Sequence, residues 1–132
     1  MTTSLSAIGI WALRIIAAVI MLQTLYFKFS AAPESVYIFS TLGMEPWGRI
    51  GIGIMELIAS LLILYPPTTA IGAGMGIGVM SGAIFYHLTK LGIVVMNDGG
   101  QLFAYALIVL LSCLWLFIIY RNDILHLLKA NF

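Results

Sequence analysis

Residues 47–65, WGRIGIGIMELIASLLILY, form an apolar run long enough to cross a bilayer as a helix, and they carry one carboxylate, Glu56, near the middle. A second apolar run, Leu5 to Phe27, carries Arg14 at the same distance from its own start. With a rise of about 1.5 Å per residue, each charge lies roughly 14 Å from the start of its helix, close to the bilayer midplane. Since an unpaired charge at that depth costs at least about 2.5–3.5 kcal/mol, we expect Arg14 and Glu56 to form an intramembrane charge pair between antiparallel helices.

The composition assigns the chain to the class of integral membrane proteins. Hydrophobic residues make up 62% of the chain and charged residues 8%, which leaves too little polar surface for a soluble domain. Four apolar runs, at about residues 5–27, 47–65, 69–88 and 101–120, predict an all-α bundle of four transmembrane helices in a single membrane domain, residues 1–132. The four apolar runs make the lipid bilayer the expected partner. The net charge is +1 and no basic run occurs, so nucleic acid is not expected as a partner.

The connections between the four runs predict how the helices are arranged. Residues 30–46 are long enough for a short interfacial helix, with a start at Pro33 and a stop at Leu42-Gly43. Pro66-Pro67 ends the second span, and the third begins almost at once, so these two spans form an antiparallel hairpin.

An even number of spans places both termini on one side of the membrane, here called the tail side. The other side, which holds the first and third loops, is called the loop side. The loop side carries three basic residues and the tail side two, so the positive-inside rule does not set the orientation. These residues are Lys28, Arg49 and Lys90 on the loop side, and Arg121 and Lys129 on the tail side. We expect a multi-pass protein of the cell (inner) membrane, with both termini taken as cytoplasmic.

The third span is rich in glycine. Gly74, Gly78 and Gly82 are spaced by four and lie on one helix face, the small-x-x-x-small pattern of helices that pack closely in lipid. Gly72 and Gly76 form a second such pair on an adjacent face. We expect the first set to pack against a helix, in this chain or in a homodimer, so that a bulky residue at Gly78 disrupts the bundle. The alternative is a passage lined by bare backbone.

Four polar residues are expected to cluster on the loop side, above the predicted charge pair. Lys28 ends the first span, His87 ends the third, and Gln101 and Tyr105 begin the fourth. This arrangement predicts a ligand-binding site for a polar head group. The alternatives are that Lys28 snorkels to the lipid head groups as an anchor, that His87 is interfacial, and that Gln101 and Tyr105 satisfy each other. The predicted Arg14–Glu56 pair likewise has the alternative of only fixing helix register.

Several kinds of chemistry are excluded by what the sequence contains. Cys113 is the single cysteine, so no intramolecular disulfide can form. His87 and His126 fall on opposite sides of the membrane, which argues against a haem held by two histidines of one chain. No metal-ligand spacing, phosphate-binding loop, nucleophile elbow or dinucleotide fingerprint is present. We therefore assign no catalytic residues and no metal site, and expect the chain not to act as a stand-alone enzyme.

The order of several short motifs resembles the DoxX family of small four-span membrane proteins. The motifs are Leu13-Arg14-Ile15, Lys28, Leu42-Gly43-Met44-Glu45-Pro46, Glu56-Leu57 and His87, and they cover roughly residues 10–120. Leu25 departs from the pattern, since the family tends to have glycine three residues before the lysine. The resemblance implies a bundle with interior Arg14, Lys28, Glu56 and His87, and a link to quinone-dependent respiratory or thiosulfate-oxidising complexes.

Three functions from different classes remain open at this point. The first is an accessory component of a membrane redox system that binds a quinone or another amphiphile and works with an oxidoreductase subunit. The second is a structural or assembly protein without a ligand of its own. The third is a small proton-coupled transporter with Glu56 as the titrating group, which is disfavoured because a neighbouring cation would hold the carboxylate ionised.

Overall fold

The computed structural model describes the backbone of residues 3–131 and the side chains of residues 7–122. Side chains of Lys129 and His126 therefore lie outside the described residues. The chain forms five α-helices: α1 (Thr3–Phe29), α2 (Pro33–Thr41), α3 (Trp47–Leu64), α4 (Thr69–Tyr86) and α5 (Gln101–Asn131). Four helical segments are long and apolar enough to cross a membrane: Ala7–Phe29, Trp47–Leu64, Pro66–Leu91 and Gln101–Asn122. The predicted all-α architecture with four spans is confirmed.

The short helix α2 confirms the expected interfacial helix in the first loop. Pro33 occupies its first turn, where the missing N–H costs no hydrogen bond, and Glu34 follows in the positive end of the helix dipole. After Leu42, the backbone turns through Gly43 at a φ of 74°, which glycine adopts without strain. Helix α2 follows α1 and precedes α3 in the chain, and it contacts both of these helices.

The α3–α4 hairpin closes the tail side of the bundle. A single turn of 3₁₀ helix, Pro66–Thr68, connects the two helices. The hydroxyl of Thr68 donates to the Leu62 carbonyl at 2.9 Å, and the hydroxyl of Thr69 donates to the Ile63 carbonyl at 3.0 Å. These bonds satisfy carbonyl groups that the end of α3 leaves free, which is required in a membrane where water is scarce.

The four spanning helices form a ring in which each contacts two neighbours, in the order α1, α3, α4, α5 and back to α1. Small residues at the centre allow the helices to approach closely, as expected in lipid. The core consists of Ala17, Met21, Ala59, Ile63, Ala73, Met80, Ala106, Val109, Cys113 and Leu116. Large apolar side chains cover the outside of the ring, the surface that a bilayer would contact.

The close packing predicted for the glycines of α4 is found at Gly72 and Gly76 and not at Gly78 and Gly82. A Cβ added at Gly72 would lie 2.7 Å from the Ala59 carbonyl oxygen, and one at Gly76 would lie 2.6 Å from the Cys113 sulfur. Gly74 has ordinary room, since an added Cβ would be 3.5 Å from the Phe117 ring, whereas Cβ atoms at Gly78 and Gly82 would meet nothing within 4 Å. The expected packing within the bundle is therefore wrong for Gly78 and Gly82, whereas Gly74 makes an ordinary contact with α5; packing of this face in a homodimer stays a prediction.

Candidate ligand cavity

One cavity of about 680 Å³ occupies the loop half of the bundle. In the tail half of the bundle the four spanning helices pack against one another in the core, so the cavity is closed toward the tail side. All four spanning helices contribute to its wall, α2 contributes Glu34, Ser35, Ile38 and Phe39, and Leu42 follows just after α2. Its volume lies within the range of about 300–1,000 Å³ found for small-molecule sites.

An ion pair between Lys28 and Glu56 forms the polar centre of this cavity. Lys28 Nζ lies 2.8 Å from Glu56 Oε1, and it also donates to the Thr24 hydroxyl at 3.2 Å. The Glu56 residue is 3% exposed, and apart from the ion pair its Oε1 receives no hydrogen bond from the residues that the structure describes. Both charged side chains line the cavity. The pair thus neutralises both charges and leaves acceptor capacity on the carboxylate.

The predicted pair between Arg14 and Glu56 is wrong, and the direction of the side chains explains why. Arg14 lies beside Ile63 and Lys28 lies beside Arg49, which fixes the antiparallel register of α1 and α3. In this register Met21 is level with Glu56, so Arg14 and Lys28 are each about 10 Å away along the axis.

Side chains on a helix lean toward its N-terminus. On antiparallel helices, Lys28 therefore leans toward the tail side and Glu56 toward the loop side, so that the two approach each other. Arg14 leans away from Glu56. Equal distance from two helix starts does not imply contact, because the starts lie on opposite sides of the membrane.

Arg14 instead joins three helices near the tail side. Its guanidinium donates to the Ile63 carbonyl of α3 at 3.3 Å and to the Tyr120 hydroxyl of α5 at 2.7 Å. The guanidinium carbon also lies 4.7 Å from the centre of the Trp11 ring and 4.9 Å from that of Tyr120, within the range of cation–π contact. Arg14 is 2% exposed and lies outside the cavity wall. Its position favours a structural role.

His87 enters the cavity wall at the point where α4 changes geometry. The five residues His87–Leu91 form a π-helical segment, an irregularity that is frequent at functional sites. His87 Nδ1 lies 2.9 Å from the Gly92 carbonyl oxygen. Because a carbonyl only accepts, Nδ1 carries the proton and donates, so the neutral ring keeps an acceptor lone pair on Nε2. The buried ring thus presents an acceptor at the cavity wall.

Gln101 and Tyr105 supply the polar groups of α5. The side-chain amide of Gln101 donates to the Tyr105 hydroxyl at 3.1 Å, which is the mutual hydrogen bond that the sequence left as an alternative. Both residues nevertheless line the cavity, and the Tyr105 hydroxyl retains its own proton to donate. All four residues predicted for the ligand site, Lys28, His87, Gln101 and Tyr105, therefore surround one cavity.

Two features of the site were missed by the sequence reasoning. Arg49 forms an ion pair with Glu45 one turn earlier and donates to the Lys28 carbonyl, so it fixes the end of α1 against α3. Asp98 accepts hydrogen bonds from the backbone N–H groups of Val95, Gly100 and Leu102, and so holds the loop between His87 and α5. The spacing of four between Glu45 and Arg49 could have indicated the first, although Glu45 lies in the turn just before α3 and not on the helix itself.

Within the residues that the structure describes, no group of three or more His, Cys, Asp and Glu side chains could hold a metal ion. Comparison of the chain with protein-family models, curated proteins and solved structures gives no match. The chemistry of the cavity is therefore the basis on which a function can be argued.

Proposed function

We propose that this four-span membrane protein binds a neutral amphiphile in the cavity, with a quinone or its quinol as the leading candidate, and serves as an accessory component of a membrane redox system. The observation that carries the proposal is the 680 Å³ cavity, in which the Lys28–Glu56 pair, His87, Gln101 and Tyr105 face one space. Pockets of this kind, apolar with a few convergent polar groups, are the usual form of small-molecule sites.

The charge balance supports a neutral head group. In the interior of the cavity, Lys28 and Glu56 neutralise each other, and Arg49 is matched by Glu45 just beyond the wall. Glu34, the other charged residue of the lining, is exposed on α2 at the edge of the cavity. A charged ligand would have to compete with one of these pairs, whereas a neutral head needs only hydrogen bonds. Donors are available from Lys28 and Tyr105, and acceptors from Glu56 and from Nε2 of His87. Such a set can bind both a quinone, which accepts, and a quinol, which donates.

The redox part of the proposal rests on the resemblance to the DoxX family. The residues around the cavity can bind and orient a quinone, but an electron donor or acceptor would come from a partner subunit. In this proposal the chain is the quinone-holding component of an oxidoreductase assembly, and the partner subunit is the enzyme.

A structural or assembly role is the second candidate, and Arg14 favours it. Its contacts with Ile63, Tyr120 and Trp11 bring three helices together without facing the cavity. A proton-coupled transporter is disfavoured, since Glu56 is held in an ion pair.

The test is ligand retention by the protein purified in mild detergent. We expect native mass spectrometry and lipid extraction to find a stoichiometric amphiphile, and an added tailed benzoquinone to raise the melting temperature. Tyr105→Phe, which removes a donor, should weaken benzoquinone binding by about tenfold, and His87→Gln, which removes the Nε2 acceptor, should weaken binding of the corresponding benzoquinol by about tenfold, the cost of one lost hydrogen bond in a buried site. Lys90→Ala is the matched control, because Lys90 is exposed and outside the cavity wall.

The result that contradicts the proposal is equally definite. A wild-type protein that retains no amphiphile and whose melting temperature is unchanged by tailed benzoquinones would not be a quinone-binding protein. Co-purification of a second subunit under those conditions would support the assembly role instead.

A further inference from the structure

The cavity runs across the bundle from one helix–helix seam to the opposite one. At the seam between α1 and α5 it is lined by Gln23, Phe27, Gln101 and Tyr105. At the seam between α3 and α4 it is lined by Ile52, Met55, Met75, Gly78, Val79 and Gly82. The first seam carries three polar side chains, and the second carries none. The cavity is thus amphipathic across its width.

The apolar seam reaches the surface of the bundle at Gly78. This glycine is exposed, and Met55 opposite it on α3 is 41% exposed, although both line the cavity. A Cβ at Gly78 or Gly82 would meet nothing within 4 Å, whereas Gly72, nearer the tail side, brings the backbones of α3 and α4 into contact. The two helices therefore meet at the tail side and leave a gap toward the loop side.

The gap is continuous with buried polar groups that have unused hydrogen-bonding capacity. Glu56 Oε1, in a residue only 3% exposed, has Lys28 Nζ at 2.8 Å as its single polar partner among the described residues and keeps a free lone pair, and the His87 ring is 5% exposed. Both groups line the same cavity as Gly78 and Gly82. An apolar gap leading inward to such groups suits a molecule with a polar head and an apolar tail.

We propose that Gly78 and Gly82 are specificity-determining positions that admit the tail of the ligand, a single isoprenoid or alkyl chain that leaves the cavity between α3 and α4 into the bilayer. This inference rests on the proposed function, because it assigns the path of the tail of the same amphiphile. The two glycines lie one turn apart and form a wall without side chains. Met55 and Met75 border it with flexible thioether chains that adapt to a bound chain.

The lateral path has a physical reason. Ile38 and Phe39 of α2, with Leu42 just after it, cover the loop side of the cavity, and the core closes the tail side. A tail that leaves through the α3–α4 seam stays in an apolar environment, so its free energy changes little when it moves from lipid to protein. Entry through the seam would also favour a ligand with a single alkyl or isoprenoid tail. Only Gly78 and Gly82 lack side chains in this part of the wall, which leaves room for one such tail.

The experiment compares two benzoquinone probes, one without a tail and one with a decyl tail, in wild type, Gly78→Leu and Gly51→Leu. Gly51 is the matched control, because a Cβ there also meets nothing within 4 Å and the residue lies outside the cavity wall. We expect Gly78→Leu to weaken binding of the tailed probe by about tenfold or more, because the leucine side chain would occupy the space that the decyl tail fills. The tail-free probe should bind within about twofold in all three proteins, and Gly51→Leu should bind both probes as wild type does.

The outcomes separate the two proposals. If wild type binds neither probe, the proposed function fails. If wild type binds both and Gly78→Leu binds the tailed probe as tightly as wild type, the tail path is wrong and the head-group site stands. Gly82→Leu repeats the measurement at the second position, so a folding defect of one variant does not decide the result.

Discussion

The ion pair between Lys28 and Glu56 removes two charges from the membrane interior at once. Lys28 is 15% exposed and Glu56 is 4% exposed at their side chains, so each would be costly without the other. Breaking a buried pair by removing one partner typically costs about 3–5 kcal/mol, because the remaining charge is left unpaired. We expect the lower end of this range for Glu56→Gln, since Lys28 lies near the end of α1 and can reach the lipid head groups.

A double-mutant cycle tests the partner of Glu56 directly. Glu56→Gln and Lys28→Met should show a coupling energy of about 0.5–3 kcal/mol in detergent unfolding, because both act on one contact. Glu56→Gln and Arg14→Met should add to within about 0.5 kcal/mol, because those side chains point away from each other. A cycle in which Arg14 is coupled to Glu56 and Lys28 is not would contradict the structure.

At this scale the sequence identified the right residues and the wrong pair. Glu56 in the middle of an apolar run could be recognised as a residue that needs a partner. Arg14 was predicted as that partner because it lies at the same distance from the start of its own helix. The side-chain lean toward each helix N-terminus decides in favour of Lys28, and it acts only once the register of α1 and α3 is known. That register depends on contacts such as Arg49 with the Lys28 carbonyl, which connect distant segments of the chain.

Helix α4 shows how one composition can serve two purposes. Its glycines on the inner face allow contact with α3 and α5, and those toward the α3–α4 seam leave the cavity open. The sequence predicted close packing on two faces of this helix, one with Gly74, Gly78 and Gly82 and the other with Gly72 and Gly76, and the tight contacts are on the second face. The spacing of four occurs on both faces, so spacing alone could not distinguish them.

Alanine substitution separates the two glycine faces. Gly72→Ala should destabilise the bundle by about 1–3 kcal/mol, because the new methyl group would overlap backbone atoms of Ala59 and Ile63. Gly78→Ala should leave stability unchanged or raise it by up to about 1 kcal/mol, the difference in helix propensity. Unfolding in mixed detergent micelles measures both. A larger loss at Gly78 than at Gly72 would restore the packing role predicted for Gly78.

The loop before α5 is held by Asp98, and this contact responds to pH. Burial raises the pKa of the Asp98 carboxyl, but hydrogen bonds from the backbone N–H groups of Val95, Gly100 and Leu102, with the attraction of the His87 ring when that ring is protonated, outweigh it and hold the pKa below its ordinary value of 3.8. The stabilisation is therefore fully present above about pH 4 and is lost as the pH falls through the lower folded-state pKa.

Asp98→Asn isolates this contribution. Above about pH 4 the variant should melt at a lower temperature than wild type, with a loss of about 0.5–2 kcal/mol for a weakened contact at a helix start. The difference should shrink below that pH as the wild-type carboxyl is protonated. A difference that stays constant down to about pH 2 would show that the charge of Asp98 is not involved.

At the scale of the whole molecule, the bundle is closed at one end and open at the other. On the tail side, Arg14 ties α1 to α3 and α5, and Gly72 brings α3 and α4 together. On the loop side, the same helices surround the cavity under α2. The four spans and α2 could be predicted from apolar runs and proline positions, which are local signals. The cavity could not, because it results from where the helices fail to meet.

This polarity makes the placement of each end testable in sealed membrane vesicles. Cys113 is fully buried and should not react, so a single introduced cysteine reports its own side with a membrane-impermeant maleimide. Thr41→Cys on α2 and Asn97→Cys in the third loop should react from the same side, and Asn122→Cys near the end of the fourth span should react from the other. Wild-type protein is the control for background labelling. Thr41 and Asn122 are separated by three spans, an odd number, so the two cysteines should be labelled from opposite sides. Reaction of both from the same side would require an even number of crossings between them and would contradict the four-span arrangement.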